Sequence, residues 1–343
     1  MKTVPLIICV VLGLSILTGC NGAAAKKDLL SVDFQKGQVL RYKFVSSRNI
    51  SVNWSQTKGD AQQGKSKVDK SSESMELVVS YEPVEVDPYG LTNLKATCES
   101  VKVKRTSHDG RQVTQSDAIE SLTGKTFTFN VGPTGKIYDY SQLKDLILEA
   151  GKKAFRPDSR QGKVKEPDMI DDFIATQWFL WDSVSSMEKV TEGVSAGKTW
   201  KSELSVPTSM VLRKARDVTY TLEEIQQTEK GRLAVIKSSY FLAGSVPPGW
   251  PMPYPDGSFQ MSGTFGFLRN YKVLDLQGQG EELFNIDAGR TEQYTQKYQM
   301  NMEASLLLAL GVNPLITVEQ TLTMQLLDSP VLQKERKVGT VGN

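Results

Sequence analysis

Three cysteines, one histidine and a pair of adjacent aspartates are the residues through which this chain of 343 residues could do covalent or acid–base chemistry. His108 lies in Thr106-Ser107-His108-Asp109-Gly110-Arg111, where Asp-Gly marks a hairpin turn, so its ring is expected in solvent. A Ser-His-Asp site would need that one imidazole, and a zinc site would need several His or Cys ligands. Asp171 and Asp172 are sequence neighbours, and neighbours on a helix do not face one another. At a helix start they suit the positive end of the dipole. Cys98 alternates with Leu94 and Ala96 and reads as a small buried hydrophobe rather than a nucleophile. The chain carries no phosphate-binding loop, no G-x-S-x-G, no H-E-x-x-H and no dinucleotide fingerprint. The expectation is a non-enzyme with no catalytic residue, no metal and no cofactor.

Cys20 is different. Lys2 precedes an apolar run from Leu6 to Leu17, broken by Gly13 and Ser15, and Leu17-Thr18-Gly19-Cys20 follows. The run is too short to span a bilayer comfortably and has no stop-transfer flank. The four residues resemble the lipobox of bacterial lipoproteins. The alternative is an ordinary secretory signal with an unrelated cysteine. The resemblance implies that residues 1–19 are a signal peptide cut before Cys20, whose thiol carries a diacylglyceryl group and whose new amine takes a palmitate-type acyl chain. Each buried methylene contributes about 0.8 kcal/mol, so two or three chains anchor stably. Residues 20–33 then form a lipidated tether. In the enteric sorting rule an aspartate after the cysteine retains a lipoprotein in the inner membrane. Asn21 is not aspartate, which favours the periplasmic face of the outer membrane. Cys9 leaves with the signal, so Cys98 has no partner for an internal disulfide. A formal net charge of +2 argues against a nucleic-acid partner.

The elements around these residues are mostly strands. Leu40, Tyr42 and Phe44 alternate, as do Ile50, Val52 and Trp54, then Met75, Leu77, Val79 and Tyr81. Residues 56–73 are polar and read as a hairpin tip or a disordered loop. From Leu94 to Val103 the apolar phase slips near Ser100, which predicts a bulge. The period then changes. Ser141 can cap a helix with Leu143, Leu146, Ile147 and Ala150 on one face. Pro167 opens a second helix with an apolar stripe that includes Phe173, Trp178 and Trp181. That stripe is either a wall for an apolar ligand or a helix face packed on a sheet. Strands resume near Thr199. Residues 246–257 hold four prolines and predict an extended surface loop, whose Trp250, Met252 and Tyr254 are candidates for a protein-interaction site.

Two stretches echo one another. Gly37-Gln38-Val39-Leu40 opens the first half as Gly197-Lys198-Thr199-Trp200 opens the second. Phe129-Asn130-Val131 with Gly135-Lys136 parallels Phe284-Asn285-Ile286 with Gly289-Arg290. The fold class expected is α+β, mainly β: curved antiparallel sheet with a two-helix insert at about 141–190, a half-barrel that pseudo-repeats at 34–140 and 195–330 would duplicate. One domain is expected over 34–330, with a flexible tail over 331–343. On the lipobox, the Gly-led strands and the Phe-x-Val/Ile…Gly-Lys/Arg hairpins, the chain resembles an uncharacterised family of β-rich bacterial lipoproteins, over roughly residues 34–328. It is similar in architecture alone to the lipoprotein carriers of the LolA and LppX type. The resemblance implies binding of a lipid or other apolar ligand; the alternative is a scaffold or protein-interaction role in the envelope.

Overall fold

The computed structural model describes residues 27–54, 68–107, 109–112, 116–154, 169–187, 193–202, 206–207, 215–244, 268–306 and 313–327. The strands are β1 Leu40–Asn53, β2 Val68–Val86, β3 Thr92–Thr106, β4 Thr126–Val131 and β5 Ile137–Asp139 in the first half. In the second they are β6 Thr199–Lys201, β7 Val206–Pro207, β8 Ala215–Thr228, β9 Gly231–Leu242, β10 Leu268–Asn285, β11 Arg290–Leu306 and β12 Leu315–Leu327. Between the halves lie helices α1 Ser141–Ala154, α2 Ile170–Phe179 and α3 Asp182–Ser185.

All the strands belong to one antiparallel sheet, curved and open, in the order β5-β4-β3-β2-β1-β12-β11-β10-β9-β8-β6, with β7 attached to β8. The expected mainly-β class is the observed one. Strands β1–β5 form one meander and β6–β11 a second running in the same sense, with β12 between β1 and β11. Gly37 and Gly197 both take positive φ, 82° and 86°, in the turns that lead into β1 and β6.

Alternation decides which face of each strand is inside. In β1 the even-numbered residues from Leu40 to Val52 are all buried, including Ser46 and Arg48. The expected slip in β3 is a bulge. Val78 pairs with Ser100 and Val79 with Cys98, so Glu99 is the extra residue. The bulge restores an inward direction to Val101 after Cys98, and Glu99 turns outward to Arg41 at 2.5 Å.

Several expectations need correction. The polar stretch 56–73 is not all loop, because β2 begins at Val68 and Glu73 points inward. Among the described residues the insert has three helices rather than two. The second breaks at Trp181, which leaves helical geometry at φ −132°, ψ 12°. Ser141 is the first residue of α1 rather than its cap, and its amide donates to the Asp139 carboxylate at 3.0 Å. Residues 28–33, expected in a tether, are packed on the body instead.

These residues form a strap across the lower end of the sheet. The Asp28 amide donates to the Val194 carbonyl at 2.9 Å, Val32 donates to Pro133 and Asp33 to Gly289. Pro133 and Gly289 sit in the β4–β5 and β10–β11 turns, so the two echoed hairpins are joined by one segment. The Asp28 carboxylate accepts from Arg232, which also holds Asp287. Leu30, Val32 and Phe34 are buried.

Gly135 shows why the echoed glycine is needed. Its φ is +82°, and a Cβ there would lie 2.5 Å from Trp181 Cβ and 3.0 Å from Val32 Cγ2. Gly37 has the same φ with nothing within 4 Å. A left-handed residue with a Cβ costs about 1–2 kcal/mol, and overpacking a filled site adds roughly 1–3 kcal/mol. Gly135→Ala is therefore expected to lose at least about 1 kcal/mol more than Gly37→Ala in urea unfolding followed by tryptophan fluorescence. Equal losses would show that Trp181 does not pack into the turn.

Candidate functional site

The inner face of the sheet has three tiers. Nearest the strap is an aromatic core. Tyr42, Tyr81, Phe127 and Phe129 come from β1, β2 and β4, Phe34 from the strap, Phe173 from α2, and Trp181 from the α2–α3 break. Trp181 makes an edge contact with Phe34 at 5.5 Å and lies 5.9 Å from both Tyr81 and Phe129. Phe173 meets Phe127 at 6.4 Å. Such pairs each contribute about 0.5–1.5 kcal/mol beyond area burial. Phe173 and Trp181, proposed from sequence as a ligand wall, thus have their rings against protein rings. The Trp178 side chain lies outside the described residues, and so do Trp250, Met252, Tyr254, Cys20 and His108.

The middle tier is a polar band. The strand registers set Tyr240, Gly278, Tyr298, Gln320, Arg48, Glu73 and Arg105 opposite one another in turn, from β9 across to β3. Most of the charge in this row is internally matched. Arg48 is 1% exposed, and its Nε donates to Glu73 at 2.5 Å while Nη1 donates to Asp172 at 2.7 Å. Asp172 also accepts from Ser46 at 2.8 Å and from Gln320. Arg105 pairs with Glu73 at 3.3 Å and with Asp117. Burial alone would push the Arg48 guanidinium down; the charges of Glu73 and Asp172 outweigh it and hold the group above its ordinary value. The same balance, with Asp117 and Glu73 as the anions, raises Arg105.

Asp172 is thus more than a helix-start charge. It carries α2 to the centre of the sheet. Helix α2 is buried on its polar side as well as its apolar one, because Gln177 accepts from Tyr81 Oη at 2.7 Å.

In the second half the band is built from hydroxyls and amides. Arg216 lies over the rings of Tyr298, at 4.6 Å, and Tyr240, at 5.5 Å, and donates to Gln296 at 3.3 Å. Tyr294 donates to Gln296 and lies within hydrogen-bonding distance of Tyr240. Burial pushes the Tyr240 hydroxyl up to about 12. Gly278 and Gly280 make this crowding feasible. A Cβ on Gly280 would meet Tyr240 Oη at 2.8 Å, and one on Gly278 would lie 2.4 Å from Tyr298 Cβ. At the start of α3, Asp182 accepts from Tyr220, from Ser186 and from Ser202. Glu282 accepts from Thr291 at 2.6 Å.

The upper tier is apolar. Leu276, Met300, Val318 and Ile50 lie opposite one another across β10, β11, β12 and β1; Val273, Met302, Ile316 and Val52 form the next inward row. Seven of these eight side chains are buried and Val273 is partly so. A cleft of about 560 Å³ lies on the opposite, outer face of the sheet, lined by exposed Phe241, Gln277, Gln279, Lys297, Gln299 and Glu319.

Among the described residues there is no group of three or more His, Cys, Asp or Glu that could hold a metal. Cys98 is buried, and burial pushes its thiol up to about 12, far from a nucleophile's range. The band residues Arg48, Glu73, Arg216 and Glu282 were not singled out from sequence. The signal for Arg48 was nevertheless present, since it shares the parity of Tyr42, Phe44, Ile50 and Val52.

No family model matches the chain, and no curated protein does. Among solved structures it is similar to one of lipid–protein interactions in lipovitellin, at 11% identity and a TM-score of 0.44. The match covers 86% of this chain and 26% of lipovitellin's, so this chain spans about a quarter of the length of that one.

Glu282 is the band's titrating group near neutrality. Burial, with a smaller contribution from Asp182, pushes it up from 4.5 to about 7, against the hydrogen bonds from Ser183 and Thr291. A carboxyl raised in the fold is neutral in both states below its unfolded value. Its contribution to stability is therefore lost as pH rises from about 4.5 to about 7. The shift corresponds to a loss of about 3 kcal/mol. Glu282→Gln keeps the acceptor for Thr291 and cannot ionise. Its stability relative to the native protein should rise by up to about 3 kcal/mol between pH 4.5 and 7.5 in urea unfolding. Parallel pH profiles would show that Glu282 is solvated.

Proposed function

We propose that this protein is a non-enzymatic, lipid-anchored component of the bacterial cell envelope that binds an apolar chain, such as a lipid acyl chain. The observation that carries the reading is the upper tier: a contiguous apolar floor on four adjacent strands, separated from the aromatic core by the polar band and buried except at Val273, so that a bound chain would have to take the place of what now covers it. Met300 and Met302 give that floor unbranched, polarizable side chains that adapt to a chain of varying shape. Ten methylenes moved from water to such a surface contribute about 8 kcal/mol before the cost of association. The inert Cys98 thiol and the ion-paired carboxylates of the band support a binding role over catalysis. Anchoring through Cys20, with the outer membrane favoured by Asn21, rests on the lipobox and on the strap. From Cys20 to Asp28 is eight residue steps, so the body hangs within about 28 Å of its anchor.

One variant tests both parts. Cys20→Ser should no longer incorporate a clickable palmitate analogue in cells and should be recovered in the soluble fraction. By native mass spectrometry it should carry about one equivalent of amphiphile, and it should bind a fluorescent fatty acid. Adding Val273→Trp, at the one partly exposed position of the floor, should weaken that binding at least tenfold with unchanged circular dichroism. Palmitate incorporation that persists in Cys20→Ser would refute the anchor. A clean mass without fatty-acid binding would refute the ligand.

A further inference from the structure

Among the described residues, five of the eight exposed large hydrophobic side chains lie at one end of the molecule: Leu29, Val84, Tyr89, Leu91 and Tyr138. Tyr89 is 88% exposed and Tyr138 63%. Leu29 is on the strap. Val84 is near the end of β2, Tyr89 and Leu91 are in the β2–β3 turn, and Tyr138 is on the edge strand β5. This is the end at which the chain from Cys20 enters the body.

The side chains stand on a rigid frame. Asp87 Oδ1 accepts from the amides of both Tyr89 and Leu91 at 2.8 Å, and the Asp87 amide donates back to the Leu91 carbonyl at 2.9 Å. Gly90, at φ +84°, lies against Pro133 of the β4–β5 turn. The ring of Tyr138 covers Gly132 so closely that a Cβ there would meet it at 2.7 Å. Pro133 in turn accepts from the strap at Val32. Turn, hairpin and strap are therefore one unit. Exposed apolar side chains held this firmly cost solvation and contribute nothing to the core, which is the mark of a contact surface.

We propose that this end is a membrane seat: Tyr89, Leu91, Tyr138 and Leu29 enter the bilayer interface beneath the lipidated Cys20. The inference rests on the anchor proposed above. Length selects the membrane as the occupant. The tether from Cys20 to Asp28 reaches at most about 28 Å. The 14 residues of β1 alone span about 46 Å. The strap end is thus held near the bilayer while the opposite end of the sheet is kept from it. Chemistry agrees, since tyrosines with an apolar body and a polar tip favour the headgroup boundary. The charges of the strap and its neighbouring turns leave no positive excess, Lys27, Lys36, Lys136, Arg232 and Arg290 against Asp28, Asp33, Glu85, Asp87, Asp139 and Asp287. Seating is therefore apolar rather than electrostatic and does not require anionic lipid.

The inert Cys98 makes a direct test practical, because an introduced surface cysteine can be labelled selectively. Lipidated full-length protein with Tyr89→Cys or Tyr138→Cys, and a control with Gln279→Cys, is spin-labelled and reconstituted into phosphatidylcholine–phosphatidylethanolamine vesicles. Labels at 89 and 138 should be more accessible to oxygen and at least threefold less accessible to a water-soluble nickel chelate than the label at 279, in 50 mM and 500 mM salt alike. Lipidated, vesicle-bound protein whose labels at 89 and 138 match the control overturns the seat and leaves the anchor standing. Protein that carries no lipid and does not sediment with vesicles overturns both.

Discussion

Arg48 lies in the middle of an eleven-strand row with its guanidinium out of water, and that desolvated cation constrains everything around it. Removing such a charge from water costs several kcal/mol even after relaxation, so anions must meet it with good geometry. Glu73 reaches it from the neighbouring strand and Asp172 from above. Asp172 begins the second helix, so satisfying the arginine fixes where that helix sits. Ser46 and Gln320 complete the carboxylate's hydrogen bonds. Arg105 and Asp117 extend the same alternation of sign to the 3-10 turn at Ala118–Leu122.

The division of the inner face follows from this. On the strap side of the band the helices press aromatic rings against the sheet, and Trp181 leaves the helix to fill the space over Gly135. On the other side lie methionine, isoleucine and valine in register. The polar band thus keeps the two apolar tiers apart along the strand direction. The strap meets the lower edge of the same sheet, so the strap, the aromatic core, the band and the floor are stacked along the strand direction.

Much of this was legible in the residues. Period-two alternation identified the strands because one face of each is buried. The phase slip at Ser100 identified a bulge, because two residues there oppose one. Cys98 read correctly as a buried hydrophobe. The polar band was missed for a physical reason. Ser46, Arg48 and Gln320 break the apolar run, and a polar residue ordinarily marks the outer face or the end of a strand. Only the parity of their neighbours points them inward, and only a partner distant in sequence makes that tolerable; Asp172 is 124 residues from Arg48. Residues 68–73 carry one apolar side chain, Val68, too few to show alternation, yet β1 and its ion pair extend β2 that far. The strap was hidden in what read as tether, since its hold comes from backbone amides and turns of other strands.

The central claim is that Arg48 and Asp172 couple the helices to the sheet, and a double-mutant cycle measures it. Arg48→Met should cost about 3–5 kcal/mol in urea unfolding, because it leaves the buried Asp172 carboxylate without a cation, and Asp172→Leu should cost less, because Glu73 still pairs with Arg48. The double variant should cost at least about 2 kcal/mol less than the sum of the two. Additive losses would mean that the pair does not hold the helix to the sheet, and the order of the tiers would need another cause.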